Sequence, residues 1–447
     1  MLFYWENIMA KDLCTLVQRQ WQTQCAGHHA IEVGLSGGLD SVVLLHILVQ
    51  LRERLGLQLT AVHIHHGLQA QADDWVPFCE QYCAAWHVPL RVERVDVNTQ
   101  GVGVEAGARH ARYQVFSATS ATIIALAHHA DDQVETFMLA ALRGGGLRAL
   151  AAMPSVRALN ERVQVWRPLL GVSRAALQLY AQQYGLAYVD DPSNEDGTYL
   201  RNWLRHQGLP AWQTRVPHLK RHVLSSIALL QDELAVLEEV VASDRAMIEQ
   251  QGWFDCQRWR TLSQARRQQQ LIHFVQTQGL GQPSRAAVQD FERVLWALDK
   301  GSAQWQLPHG EIQVYQQRLF ALPQGWQQAI LPTAAQGRLR DILTPQLGWQ
   351  FKTAAYGLPD EIWATQGAIR TVQADDVLPL ATGHKNVLKL LQEWKVPPFM
   401  RSHWMVITDE RNRCLAVPNI WVDARLAVKG GILPIWQALQ PFVLQPK

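Results

Sequence analysis

The sequence predicts an α/β fold: a doubly wound parallel-sheet domain, then a helical middle region and a small α+β module at the carboxyl end. Three observations carry this. The apolar run Ile31–Leu35 stops at Ser36-Gly37-Gly38, and a helical pattern through Val43, Leu44, Ile47 and Leu51 begins at once, which reads as buried strand, tight turn and helix. Strand-like and helix-like segments then alternate for about a hundred residues, as a parallel sheet covered on both faces requires. The 447-residue chain is also too long for one ordinary core, so two to four domains are expected.

In chain order, Leu13 to Cys25 reads as a leading helix, followed by the loop strand and its helix. Gln58 to Ile64 is rich in β-branched and apolar residues and ends in His63-Ile64-His65-His66-Gly67. A helix through Trp75, Phe78, Cys79, Tyr82 and Trp86 follows, and Leu90 to Val97 alternates as a strand. Gly103 to Phe116 is helical. Thr122 to Ala127 is a short buried strand, and its end runs into His128-His129-Ala130-Asp131-Asp132-Gln133-Val134-Glu135, where another helix starts. In such sheets ligands bind beyond the carboxyl ends of the strands. Three polar clusters therefore converge on one cleft.

Composition sets limits. With 48% hydrophobic and 18% charged residues the chain is globular, and no stretch approaches the roughly 18 apolar residues of a membrane span. Met1–Lys11 lacks a basic-then-apolar signal pattern. The six cysteines are scattered without a Cys-x-x-Cys, which points to reduced thiols and a cytoplasmic setting. A formal charge of +2 is no argument for nucleic acid, so that case rests on local patches.

The Ser36-Gly37-Gly38-Leu39-Asp40-Ser41 turn is an anion site in outline. Two glycines let main-chain N–H groups approach a ligand, and the next helix directs its N-terminus there. It lacks the Gly-Lys-Ser/Thr ending of a Walker loop. Asp40 caps its helix or, beside bound phosphates, orders magnesium. Histidines 63, 65, 66, 128 and 129 do not form a zinc pattern, because neither pair sits at i, i+4 and no cysteine accompanies them. Asp132 and Glu135 share a helix face and suit an ammonium group or a metal, the alternative being a solvated charged face. Arg109 and Arg112 suit planar recognition of carboxylate or phosphate, the alternative being surface charge.

The run Arg201 to His222 contains five basic residues (Arg201, Arg205, Arg215, Lys220, Arg221), Trp203 and Trp212, and no acid. Basic groups interleaved with aromatics suit RNA, the alternative being a chance basic stretch on a domain edge. His222 to Gln250 is a long amphipathic helix that connects and packs. Arg258 to Arg267 and Phe291 to Leu298 suggest a small helical module. Ala321 to Gly348 reads as connection around a boundary, and Trp349 to Lys447 as an α+β module.

SGGLDS resembles the PP-loop of ATP pyrophosphatases. HHG, EAxARxxRY, AHHxDDQxET, RPLLxxSR (Arg167 to Arg174) and DPSNxDxxYxRNxxR follow in the order seen in bacterial tRNA(Ile)-lysidine synthetases, covering residues 31 to about 222. His384 to Glu393, then Lys395-Val396-Pro397-Pro398 and Arg401, resemble that family's C-terminal domain. The resemblance implies a PP-loop, adenine nucleotide α-hydrolase-like catalytic domain over 1–215 and a connecting helix over 216–250. A helical tRNA-binding domain over 251–330 and a C-terminal tRNA-recognition domain over 349–440 follow. It implies ligation of free L-lysine to the wobble cytidine of tRNA(Ile) with a CAU anticodon through an adenylated cytidine, using ATP and Mg2+.

By the same resemblance, Ser36, Gly37, Gly38, Leu39, Asp40, Ser41 and His65 meet ATP, with Asp40 toward the magnesium. Asp132 and Glu135 hold the lysine, and Arg109 or Arg112 helps at its carboxylate. Asn194, Arg201, Asn202, Arg205, Lys385, Lys389 and Arg401 meet tRNA. Which residue deprotonates the amine, and whether the chain forms homo-oligomers, are left open. A PP-loop tRNA thiolase and a non-catalytic tRNA-binding protein are the alternatives. The first should fail when Cys79 and Cys83 are both replaced by Ser; the second should show no ATP–pyrophosphate chemistry. If Arg205 serves RNA, Arg205→Ala should raise the KM for tRNA and leave ATP binding unchanged in a direct nucleotide-binding assay.

Overall fold

The computed structural model describes residues 10–67, 72–96, 104–190, 199–249 and 252–444. The chain divides into two compact units, Met1–Glu239 and Val240–Lys447.

The first unit runs α1 (Ala10–Gln24), β1 (Ala30–Gly34), α2 (Leu39–Leu55), β2 (Gln58–His65), α3 (Ala72–Ala85), β3 (Leu90–Arg94), α4 (Val104–Ser117), β4 (Ile123–Ala125) and α5 (Ala130–Leu142). It continues with α6 (Leu147–Leu150), β5 (Val156–Ala158), β6 (Gln164–Trp166) and α7 (Arg174–Gln183). The six strands form one sheet in the order β3-β2-β1-β4-β6-β5, with parallel pairing throughout except between β5 and β6. The α/β expectation holds, with an antiparallel hairpin added at one edge. Its strands are three residues each, too short to show a period. Its turn is closed by Asn160, whose Oδ1 accepts hydrogen bonds from the N–H groups of Arg162 and Val163.

Burial explains why the central elements form. Ile31 and Val33 of β1 are fully buried, as are Val43, Leu44, Leu45, Ile47 and Leu48 of α2. α2 is apolar nearly all round because α1 and α7 pack on it as well as the sheet. It ends at Gly56, whose positive φ lets its N–H reach the carbonyls of Arg52 and Glu53. Glu32 sits in the middle of this apolar strand and is buried. Arg91 on β3 neutralises it with two hydrogen bonds of 3.0 and 3.3 Å. The chain leaves β1 for β2 and β3 on one side and returns to β4 on the other. The strand order therefore reverses between β1 and β4, and a crevice opens at their carboxyl ends.

Beyond α7 lie α8 (Leu200–Trp203), a π-helical turn (Leu204–Gly208), α9 (Leu209–Gln213) and the long α10 (Leu219–Ile248). Leu204 and Leu209 pack with Val134 of α5 and with Val223 and Ile227 of α10.

In the second unit, helices Cys256–Arg260, Gln264–Thr277 and Arg285–Ala297 pack on a three-stranded antiparallel sheet spanning Ser302 to Pro323. The sequence had shown only the helices of that module. The segment 321–348, which the sequence gives as connection, contributes Ala335–Arg338, an edge strand paired antiparallel with Gln366–Thr371. A five-stranded, a three-stranded and a two-stranded sheet together with the helix Val387–Glu393 make up the α+β part. Val387, Leu391, Met400, Trp404 and Val406 are fully buried there.

Leu44 is fully enclosed, so Leu44→Ala removes both its transfer energy and its packing partners. The expected cost is about 2–5 kcal/mol, read as a lowered urea midpoint for the first unit's transition.

Candidate active site at the carboxyl edge of the sheet

The loop after β1 braces itself. Leu35 N–H donates to the Val62 carbonyl at 2.9 Å and prolongs the sheet by one rung. Ser41 Oγ accepts from Ser36 N–H at 3.2 Å and donates to the Gly38 carbonyl at 3.0 Å. The 3.1 Å contact between Ser41 Oγ and Ser36 Oγ must therefore take its proton from Ser36, which in turn accepts from Gly38 N–H. Gly37 has φ +88°, and a Cβ there would meet Cys79 and Phe78. Gly38 caps α2 with no side-chain bond to the helix's first N–H groups. A rigid turn and a helix N-terminus lacking a side-chain cap together make a receptor for phosphate oxygens.

This loop forms one wall of a cavity of about 330 Å3. Ser36, Asp40 and Ser41 face His63, His66 and His128, with Arg109, Arg112 and Tyr113 of α4 and Asp132 of α5 closing the rest. His63 Nδ1 lies 2.9 Å from the Leu35 carbonyl, which ties β2 to the loop. His65, expected at the nucleotide, is not part of this lining. Its Nδ1 accepts from Gly67 N–H at 3.2 Å, and its Nε2 lies 3.2 Å from Asp73 without hydrogen-bond alignment. Asp40 Oδ1 is buried and has no hydrogen-bond partner among the described residues, while Oδ2 lies 3.6 Å from His129 Nε2. A carboxylate oxygen withdrawn from water without a donor, beside a phosphate receptor, suits a hard divalent cation.

On α4, the Arg109 guanidinium lies 5.1 Å from the Tyr113 ring centre and that of Arg157 lies 4.8 Å from it. Arg167 donates to the Tyr113 hydroxyl at 3.3 Å. Burial pushes the Tyr113 hydroxyl pKa up, but these cations outweigh it and bring it below the usual value. Arg167 is itself almost fully buried, and among the described residues no carboxylate pairs with it. It donates to the Pro154 carbonyl at 2.9 Å, and burial depresses its pKa.

The start of α5 gathers the acids. His129 N–H donates to Asp132 Oδ2 at 3.0 Å. The His129 ring is buried, with Nε2 3.6 Å from both Asp40 and Asp132 and Nδ1 3.8 Å from Asp131. Burial alone lowers its pKa, yet the surrounding carboxylates raise it overall. Asp132 shows the opposite balance: burial raises its pKa, and His129, His128 and Arg201 bring it below the usual carboxylate range. Asp131 pairs with Lys220 and accepts from Arg174 N–H at 3.0 Å.

The two residues expected to face RNA most directly turn inward. Arg205 binds Glu135 through Nε to Oε1 at 2.6 Å and through a second nitrogen to Oε2 at 2.9 Å. Arg201 reaches Glu135 Oε2 at 2.8 Å and Asp132 Oδ1 at 3.2 Å. Glu135 is 1% exposed. Breaking such a buried pair from one side costs about 3–5 kcal/mol. Beyond this cluster lies a second cavity of about 480 Å3, bounded by His129, Asp131, Glu135, Arg174, Arg205 and Lys220 among others. The acid–guanidinium cluster is thus a wall shared by two cavities.

Elsewhere, Asn202 is half-buried on α8. Asn194 lies outside the described residues. Lys385 pairs with Glu393 at 2.6 Å, and Lys389 sits in the first turn of its helix, its N–H capped by Asn386. Arg401 donates to the Val396 carbonyl and the Tyr315 hydroxyl. Sequence reasoning missed Tyr113 and Arg167. An arginine between Trp166 and Pro168 in an apolar run was the available signal for the latter.

Comparison with known proteins agrees with this layout. Residues 8–212 match the family model described as a PP-loop domain. Residues 254–320 match the TilS substrate binding domain and 369–433 the TilS substrate C-terminal domain. A tRNA(Ile)-lysidine synthase of Neisseria meningitidis serogroup B is 44% identical over 90% of this chain and 95% of that one. The corresponding protein of Chromobacterium violaceum is 38% identical over 94% and 98%. That of Escherichia coli O157:H7 is 36% identical over 83% and 88%.

The site also sets a pH dependence. Burial first, then the Arg112 charge, pushes His66 down to about 4, and burial pushes His128 down to about 3. Unfolded, both take up protons near pH 6.5. Between about pH 4 and 6.5 the unfolded chain therefore binds more protons, and stability falls as pH falls through that window. Thermal melts at constant ionic strength should show the midpoint dropping from pH 7 to pH 5, with a shallower drop in His66→Gln.

Proposed function

The chain belongs to the tRNA(Ile)-lysidine synthase family and is a ligase that forms lysidine on tRNA(Ile); we propose that it does so in two steps within the cleft beside the Ser36–Ser41 turn. In the first, O2 of the wobble cytidine attacks the α-phosphorus of ATP and pyrophosphate leaves. In the second, the ε-amine of free lysine attacks C2 of the activated base and AMP leaves. The observation that carries this reading is the meeting, in one 330 Å3 cavity, of a self-braced phosphate receptor with Asp132 of the buried acidic pair.

The main-chain N–H group of Gly37 and the N-terminus of α2 receive the departing pyrophosphate. They stabilise its charge without reorganising, because Ser36 and Ser41 already fix the turn. Leu39 anchors the first turn of α2 in the core, and so places Asp40 at the cavity. Asp40 Oδ1 fits Mg2+, which supplies electrostatic relief of the phosphate charge when bound. Asp132 and Glu135 take the lysine ammonium, and one of Arg109 and Arg112 takes its carboxylate. Holding amine, base and ATP together supplies much of the acceleration. Arg201, Asn202, Arg205, Lys385, Lys389, Arg401 and Asn194 serve tRNA, whose selection needs contacts remote from the reacting base. No described helix is long and apolar enough to cross a membrane.

The test is incubation with ATP, magnesium, radiolabelled lysine and tRNA(Ile) bearing CAU, with a methionine tRNA of the same anticodon as control. Label on the isoleucine tRNA alone is expected; pyrophosphate release without lysine incorporation would send the activated base to another nucleophile. In the same assay Glu135→Gln should raise the KM for lysine at least ten-fold while ATP binding is retained.

A further inference from the structure

We propose that Arg201 and Arg205 are an internal occupant of the lysine ammonium site, an autoinhibitory contact that the phosphates of bound tRNA relieve. The inference rests on the reading of Asp132 and Glu135 as the ammonium site and deepens it.

In this structure every oxygen of the two carboxylates is taken. Glu135 Oε1 accepts from Arg205 Nε, and Oε2 accepts from both Arg201 and Arg205. Asp132 Oδ1 accepts from Arg201 and lies 3.5 Å from Arg205, while Oδ2 accepts from His129 N–H. Each oxygen can accept twice, so the obstacle to an ammonium group is charge: two guanidinium cations already lie within 3.5 Å of these oxygens. Lysine binds the pair favourably only when those guanidinium groups move away.

The segment that delivers them is built to be displaced. It is one continuous helical stretch, Leu200–Gln213, interrupted by a π turn at Leu204–Gly208, and helices of this length are marginal on their own. π turns are rare and concentrate at functional sites. Leu204 and Leu209 are its buried apolar side chains among the described residues. The same segment exposes Trp203 and Trp212, 38% and 37% accessible, with exposed Arg215 following. An RNA strand stacked on those indoles brings phosphates within reach of the two arginines, and guanidinium exchanges carboxylate for phosphate with the same bidentate geometry. Uncovering Asp132 and Glu135 then makes tRNA and lysine bind with positive coupling, and the coupling is reciprocal. Without tRNA the apparent lysine affinity is lowered by the small fraction of molecules in which the arginines are withdrawn.

Equilibrium dialysis of radiolabelled L-lysine against the full chain, without ATP, tests this. Wild-type protein should bind lysine at least ten-fold more tightly when tRNA(Ile) with CAU is present. Arg201→Gln combined with Arg205→Gln should reach that tighter affinity without tRNA, and tRNA should add nothing further. Equal lysine affinity of wild type and the double variant in the absence of tRNA would overturn the proposal. Glu135→Gln in the tRNA-loaded protein separates the two levels. If it leaves lysine binding unchanged, the ammonium site itself is elsewhere and the proposal falls with that reading. If it weakens binding while wild type and the double variant remain alike, only the displacement is wrong. Hydrogen exchange of Leu200–Gln213 in the unmodified protein requires no variant to fold: saturating lysine should speed it, and unchanged exchange would count against the contact.

Discussion

Two carboxylates withdrawn from water at a strand–helix corner need positive charge within a few ångströms, and much of the first unit's later chain answers to that need. Asp132 and Glu135 lie at the start of α5 because β4 ends there, and the sheet order fixes where β4 ends. Buried carboxylates without partners would take up protons or resist burial. His129, Arg201 and Arg205 supply the compensation, and in doing so they pin α8 and the π turn against α5. Lys220 at the head of α10 repeats the arrangement with Asp131. The route of the chain from residue 200 to residue 220 is thus written largely by charges set down seventy residues earlier.

The opposite side of the cleft works without side-chain charge. The turn Ser36–Ser41 offers main-chain donors and a helix dipole, held by two hydroxyls that bond each other and the backbone. Neutral donors fixed in place favour the moment when charge develops on the leaving group. Asp40, with one oxygen left without a donor, stands between the two regimes and belongs to both.

Most of this was legible where chemistry and backbone signal coincide. Strand, Gly-Gly turn and helix announced the loop because glycine, serine and the apolar run each have a local reason to be there. The parallel core was legible from alternation of strand and helix. The β5–β6 hairpin was not, since three-residue strands carry no period and Trp166 reads equally well in a helix. Nor was the β-sheet of residues 302–323, whose glutamines alternate with Trp305, Ile312 and Val314 on a face covered only by tertiary packing. At the site, Asp132, Glu135, Arg201 and Arg205 were all visible as candidates. That they bind one another was not, because a sequence shows which groups are charged and leaves open which opposite charge lies across a fold.

On the proposed reading, guanidinium is a suitable occupant for a seat that takes an amine. It stays charged at every accessible pH, so it fills the carboxylates electrostatically without ever presenting a nucleophilic lone pair. Lysine in the same seat, once deprotonated beside bound ATP, is a nucleophile with an activated phosphorus nearby. A site that seats its amine before the base is present would expose the phosphoanhydride to the wrong attack. Filling the seat with arginine until RNA phosphates draw it away makes the order of arrival a consequence of electrostatics. On that reading the cleft needs no separate lid, because the residues proposed to read the RNA would also guard the amine site.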